Sequence, residues 1–181
     1  MKAQIKTNLD IMNTLIDRSV ADISNNINNE SEIYLNYNSS GKYNLFKNRI
    51  VTALQKKVHK LWDKKGEEIN ELSYSLSRAK VNYDDVIKDG LFGGYLVKRN
   101  ISIGGNYYLS KNGNVILGNN FEYSNIDTVD FDKLNEIENP AYPFSTGKIP
   151  SIPFFSGIWE PILALGTAAI TIFLFFTVRS N

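Results

Sequence analysis

The feature that most constrains this chain is the uncharged apolar run at its C-terminus. No side chain from Ile162 to Val178 carries a charge. An α-helix needs about 20 apolar residues to cross about 30 Å of hydrocarbon, and the run reaches that length when it is extended back to residue 158. A buried core helix is the alternative, but such a helix rarely runs this long without a polar face. We therefore predict a transmembrane helix over residues 158–178, followed by a short tail, 179–181.

The residues at both ends of the run fit this interpretation. Trp159 lies where an interfacial aromatic side chain belongs, and Arg179 can extend its guanidinium to the polar surface from the other end. Membrane lipid is therefore an expected partner. The residues that we assign to the membrane anchor are Trp159, Ile162, Leu165, Ile170, Phe173, Phe176 and Arg179.

Two compartments remain open for the rest of the chain. The first residues are positively charged but lack the apolar segment of a signal peptide. If Met1 is the true start, the domain before the anchor is cytoplasmic; if a signal peptide has been removed, it is periplasmic. We therefore predict a membrane localisation with a single-pass C-terminal anchor and leave the side of the membrane open.

Apolar periodicity predicts an α+β domain ahead of the anchor. Apolar residues recur at spacings of three and four from Ile5 to Ile27, which is typical of an amphipathic helix, and the same pattern predicts a second helix over 43–59. Thr7 or Asn8 can cap the first helix. Alternating apolar residues predict strands at 33–37, at 60–62 and along 72–123. The alternation changes phase at Ser77-Arg78, which predicts a bulge or two strand pieces, and the run 111–114 predicts a hairpin turn. We therefore predict two helices packed on one face of a mainly antiparallel sheet.

The composition changes after the predicted sheet. Four prolines with serine and glycine over 139–157 predict an extended linker between a soluble domain, 1–138, and the transmembrane helix. Phe144, Phe154 and Phe155 are the large apolar side chains of this linker. The simpler interpretation is that they pack on the domain or at the bilayer interface. The alternative is contact with a protein partner, so we keep them as candidate partner-contact residues.

Composition and motifs indicate no particular catalytic or binding chemistry. There is no cysteine and only one histidine, His59, which excludes disulfides and thiolate metal sites. The sequence Ser39-Ser40-Gly41-Lys42 has neither the earlier glycine nor the following serine or threonine of a phosphate-binding loop. The net charge is +1 and the basic residues are spread along the chain, so we predict no nucleic-acid partner.

Two groups of aspartates are the remaining candidates for chemistry. Either group has the oxygen ligands of a hard-cation site, but neither has the spacing of a calcium-binding loop. Solvated turn charges are the better interpretation, although a pair of carboxylates from distant strands stays open. We predict no catalytic, cofactor-binding or metal-ligating residue. The two groups are Asp84, Asp85 and Asp89, and Asp127, Asp130 and Asp132.

A strand, a helix with the run Asn48-Arg49-Ile50-Val51-Thr52-Ala53-Leu54-Gln55 and an antiparallel meander follow one another. This order resembles the α/β domain of bacterial envelope proteins such as the N-terminal domain of TolB, the curli secretion protein CsgG and the lipoprotein activators of penicillin-binding proteins. The resemblance spans residues 33–123 and implies a non-catalytic domain that assembles with envelope proteins. This chain has no cysteine to carry their lipid anchor.

The sequence therefore favours a membrane-anchored, non-catalytic interaction or assembly domain of the cell envelope. A protein partner or a homo-oligomer is expected. The alternative is a membrane-anchored enzyme that uses carboxylates assembled from separate strands, with no substrate indicated.

Overall fold

The computed structural model describes residues 5–27, 32–66, 68–90, 93–152 and 159–178, the last of these with side chains for 162–177. Three short 3₁₀ turns lie at Gly41–Tyr43, Phe131–Lys133 and Pro143–Ser145. The helices and strands are α1 (Asn8–Asn25), β1 (Glu32–Tyr37), α2 (Phe46–Gln55), β2 (Lys60–Trp62), β3 (Asn70–Lys88), β4 (Tyr95–Lys111), β5 (Asn114–Asp130), α3 (Leu134–Ile137) and α4 (Trp159–Val178).

The strands form one mixed sheet in the order β2-β1-β3-β4-β5. β1 is parallel to both β2 and β3, whereas β3, β4 and β5 form an antiparallel meander. A parallel pair needs a crossover connection, and α2 supplies it between β1 and β2. The α+β class is confirmed, and the antiparallel part accounts for most of the paired residues.

Helix α1 begins where its capping residues predict. The Thr7 hydroxyl accepts a hydrogen bond from the Asp10 amide at 3.1 Å, and the Asp10 carboxylate accepts one from the Thr7 amide at the same distance. This reciprocal capping box satisfies two of the free amides at the helix start. The apolar stripe behind the cap is buried in the core: Ile11, Met12, Leu15, Ile16, Val20 and Ile23.

The second helix is shorter than predicted. A 3₁₀ turn, Gly41–Tyr43, precedes it, so regular α-helix begins only at Phe46 and ends at Gln55. Phe46, Ile50 and Leu54 are fully buried, one turn apart along the face that joins the core.

Strands β3 and β4 are long and kinked where the sequence pattern changes phase. The pairing register shifts between Leu76 and Arg78, which confirms the predicted bulge. Gly105 lies opposite this bulge, and a Cβ there would come within 2.0 Å of the Ser75 carbonyl oxygen. The predicted hairpin turn between β4 and β5 is also confirmed, because Asn112 and Gly113 have φ values of 50° and 80°.

The C-terminal helix α4 corrects the sequence-based prediction. Its described side chains, residues 162–177, are exposed. Across the described ranges, no helix combines the length and the apolarity that a membrane crossing requires. The predicted transmembrane helix, single-pass anchor and membrane localisation are therefore contradicted.

Candidate functional site

The candidate anchor and partner-contact residues lie in different parts of the structure. Five of the assigned anchor residues lie on α4 with exposed side chains: Ile162, Leu165, Ile170, Phe173 and Phe176. The side chain of Trp159 lies outside what the structure describes, as do Arg179, Phe154 and Phe155.

Phe144 is the one linker phenylalanine within the described residues. It packs against the hydrophobic core, and its ring centre lies 5.3 Å from that of Tyr43 and 5.7 Å from that of Phe46. The Tyr142 ring is a third neighbour, at 5.9 Å. Phe144 therefore fixes the segment after the sheet to the domain, and contact with a partner stays a prediction for this residue.

The candidate aspartates are not gathered into one site. Asp84, Asp85 and Asp89 are exposed near the end of β3, and Asp85 has a positive φ of 26° at a second register shift. Asp130 and Asp132 are exposed at and just after the end of β5. Within the described residues, no group of three or more His, Asp or Glu side chains could hold a metal ion.

Asp127 differs from the other aspartates because it neutralises a buried arginine. Arg99 is 1% exposed, and its Nε and Nη2 donate to the two Asp127 carboxylate oxygens at 2.8 and 2.6 Å. The two residues are register partners on β4 and β5. Such a two-point pair is strong and directional because the guanidinium and the carboxylate are both planar.

The remaining nitrogen of the Arg99 guanidinium, Nη1, binds the start of α1. It donates to the Lys6 carbonyl at 2.9 Å and to the Asn8 side-chain oxygen at 3.0 Å. Asn8 in turn donates to the Tyr83 hydroxyl at 2.7 Å and to the Ser145 carbonyl at 2.9 Å. One buried network therefore joins the sheet, the N-terminus of α1 and the segment after β5.

Tyr83 and Glu138 extend this network. Burial raises the pKa of Tyr83 to about 12, and the nearby Glu138 carboxylate acts in the same direction. Glu138 also accepts a hydrogen bond from the Gly147 amide at 2.8 Å. Each of these groups is engaged in holding chain segments together, so the arrangement is structural.

Sequence reasoning missed this network. Arg99 lies in the inward phase of β4, between the buried residues Val97 and Ile101. A charged residue in an inward position is rarely left unpaired, so the phase alone signalled a buried ion pair. The partners could not be predicted, because they lie 28 to 93 residues away along the chain.

The free edge of β5 is the strongest candidate for an interaction surface. β5 is 17 residues long and forms one edge of the sheet. It contains no lysine, arginine or proline, which often protect an edge strand, although it carries three acidic residues and a register shift near its start. Val115, Ile116 and Ile126 are exposed on it, by 65%, 59% and 58%. The opposite edge, β2, has only three residues and begins with Lys60.

The β5 edge is held rigidly by the rest of the fold. Arg78 on β3 reaches Glu122 on β5 at 2.5 Å, and it passes over Gly104, where a Cβ would lie 3.3 Å from the guanidinium. On the helix side, the Tyr123 hydroxyl hydrogen-bonds the Asp22 carboxylate of α1 at 2.7 Å. Both faces of the strand are therefore fixed before any partner binds.

No family model matches the chain, and no curated protein matches it. The solved structures that resemble it include two bacterial proteins. One is the rare lipoprotein B from Shewanella oneidensis, at 9% identity and a TM-score of 0.32 over 81% of this chain and 93% of that one. The other is a homolog of a neuraminyllactose-binding hemagglutinin from Helicobacter pylori, at 8% identity and a TM-score of 0.34 over 58% and 67%. The resemblance to envelope proteins is weak, is one of fold, and assigns no function.

Proposed function

We propose that this chain is a non-catalytic interaction or assembly domain that binds an extended segment of a partner protein along β5. The observation that supports the proposal is the long edge strand without lysine, arginine or proline. Strand addition is a common mode of protein recognition, in which backbone hydrogen bonds give affinity and alternate side chains give specificity. That the partner is an envelope protein rests on the sequence resemblance alone.

The backbone of β5 can support such binding. In an antiparallel sheet, alternate residues direct both their amide and their carbonyl towards the same neighbour. About half of the β5 residues therefore present both groups at the free edge. Each hydrogen bond gained in exchange for water contributes about 0.5–1.5 kcal/mol net, so several together give useful affinity.

The side chains of β5 can supply specificity. Ile116 and Ile126 are exposed and lie on the same side of the strand, with Gly118, Asn120, Glu122 and Ser124 between them. An added strand would cover part of both isoleucines, which gives a register to the pairing. Because β5 is already fixed on β4 and α1, little conformational entropy is lost on binding.

Cross-linking in cells that produce the chain natively tests the proposal. Lys111 and Lys133 flank β5, so amine-reactive cross-links from these two lysines report on what lies at the edge. The test variant combines Ile116→Lys with Ile126→Lys, which gives β5 the charged side chains that protect natural edges. The matched control is Ile87→Lys, since Ile87 is 54% exposed but lies on β3, away from the β5 edge.

We expect the wild-type chain to form cross-links from Lys111 or Lys133 to one or a few protein partners. In the double variant their yield should fall about tenfold, which corresponds to about 1.4 kcal/mol of binding free energy. The Ile87→Lys control should retain them. Equal yields in all three chains would show that the β5 edge does not bind the partner, and the proposal would then be abandoned.

A further inference from the structure

The charges of this chain are segregated although its net charge is only +1. Residues 42–65 contain eight lysines and arginines and one acidic residue, a net charge of +7, so the rest of the chain carries −6. Residues 122–138 contain six acidic residues and one lysine, a net charge of −5. The description of the basic residues as spread along the chain therefore does not hold for residues 42–65, which contain eight of them.

The fold places these two segments at opposite edges of the sheet. The basic segment contains α2 and β2, and β2 is the first strand in the sheet order. The acidic segment contains the C-terminal half of β5, the last strand, and the turn that follows it, although its Glu122 and Asp127 are already paired with Arg78 and Arg99. The eight basic side chains are all exposed: Lys42, Lys47, Arg49, Lys56, Lys57, Lys60, Lys64 and Lys65.

We infer that the partner of the β5 edge is a second copy of this chain, which binds with its basic α2–β2 end and so continues the sheet from one molecule to the next. This inference rests on the proposed function of β5 as a binding edge. Complementary potentials of this kind steer association and exclude like-charged partners. The chain itself carries a basic surface that is complementary to its acidic edge.

The charges also exclude symmetric contacts, in which two copies pair through the same edge. If β5 paired with β5 of a second copy, each acidic edge would face another acidic edge, and the like charges would repel. A β2–β2 contact would place two highly basic ends together, and their like charges would also repel. The contact is therefore head-to-tail, which leaves one free acidic and one free basic end on every assembly and gives open chains of molecules.

Sedimentation velocity of the full chain at rising concentration tests the inference. The electrostatic interaction extends about 30 Å at 0.01 M salt and about 3 Å at 1 M salt. We expect assemblies larger than a dimer at low salt and their loss at high salt. Association through the exposed apolar side chains of α4 would instead persist or strengthen at high salt. That result would overturn the inference.

Two charge-reversal variants test the two ends separately. One combines Lys56→Glu, Lys57→Glu and Lys64→Glu at the basic end. The other combines Asp130→Lys, Asp132→Lys and Glu136→Lys at the acidic end. These side chains are all exposed, so unchanged circular dichroism is expected for each. The control for net charge is the combination of Lys80→Glu and Lys148→Glu, two exposed lysines that lie outside both ends.

Each end variant alone should remain monomeric at low salt, because it has lost one of the two surfaces that form the inferred contact. An equimolar mixture of the two should form a one-to-one complex and grow no further, since a single intact contact is available between them. The control for net charge should still assemble. Assembly by either end variant alone, or a mixture that stays monomeric, would overturn the inference.

The outcome also separates this inference from the proposed function. A purified chain that stays monomeric at every concentration and salt, while Lys111 or Lys133 cross-links to a different protein in cells, would overturn self-assembly and leave the β5 edge as a binding site. A monomeric chain without such cross-links would overturn both.

Discussion

At the scale of single residues, Arg99 determines how the domain is held together. Its charge is buried and depends on Asp127 for neutralisation. Removing one partner of a buried ion pair costs about 3–5 kcal/mol, because the remaining charge has no compensation, whereas an exposed pair contributes about 0–1 kcal/mol. The same chain contains an exposed arginine–aspartate pair, Arg49 with Asp17, which gives a matched comparison.

We therefore predict that Asp127→Ala destabilises the fold far more than Asp17→Ala. The expected loss in unfolding free energy is about 3 kcal/mol for the first variant and below about 1 kcal/mol for the second. Urea denaturation followed by circular dichroism measures both. Equal losses would mean that water reaches Arg99 and that its network does not hold α1 to the sheet.

A second residue-scale prediction concerns Gly105. A Cβ at this position would meet the Ser75 carbonyl oxygen at 2.0 Å and the Phe121 ring at 2.7 Å, so β3 and β4 would have to separate at the bulge. Gly105→Ala should cost at least about 1–3 kcal/mol, as overpacking does. Gly41→Ala is the control, since nothing lies within 4 Å of its added methyl group. Thermal unfolding should separate the two variants clearly.

At the scale of elements, the opposed edges of the sheet govern behaviour more than any single site does. β5 depends on its neighbours on one side only, so its outward amides should exchange with solvent much faster than those bonded to β4. Hydrogen exchange of the isolated, dilute chain should show alternating protection along residues 114–130. Assembly should slow the outward amides at low salt, and uniform fast exchange throughout β5 would contradict the described pairing with β4.

At the scale of the whole molecule, buried tyrosines should make the fold sensitive to alkali. Burial raises the pKa of Tyr83 and of Tyr123 to about 12, and it raises the pKa of Tyr74 further. The folded state therefore keeps phenolic protons that the unfolded chain, with an ordinary tyrosine pKa of 10.0, releases. This contribution to stability is complete below pH 10 and is lost as the pH rises towards 12.

We expect the free energy of unfolding to fall between pH 10 and pH 12 by up to about 1.4 kcal/mol per pH unit for each retained proton. Tyr83→Phe should reduce that slope, because it removes one of the shifted groups. Urea titrations at several alkaline pH values measure the effect. A stability that does not change across this range would show that these hydroxyls are open to solvent in the folded state.

The sequence by itself determined the elements that follow from local periodicity. The capped helix α1, the phase change at the bulge, the hairpin at Asn112 and Gly113 and the α+β class all depend on residues close together in the chain, so their patterns are visible there. The apolar run at the C-terminus was also visible, but the predicted membrane crossing was contradicted by the described helix.

Tertiary structure alone decided what depends on distant residues. The partners of Arg99 come from two separate segments, the start of α1 and β5, and no local pattern connects them. The parallel pairing of β1 with β2 and β3 left β5 as the long free edge of the sheet. The same strand order placed a basic segment and an acidic segment at opposite edges. Charge along a sequence becomes a surface only when folding fixes which segments lie next to each other.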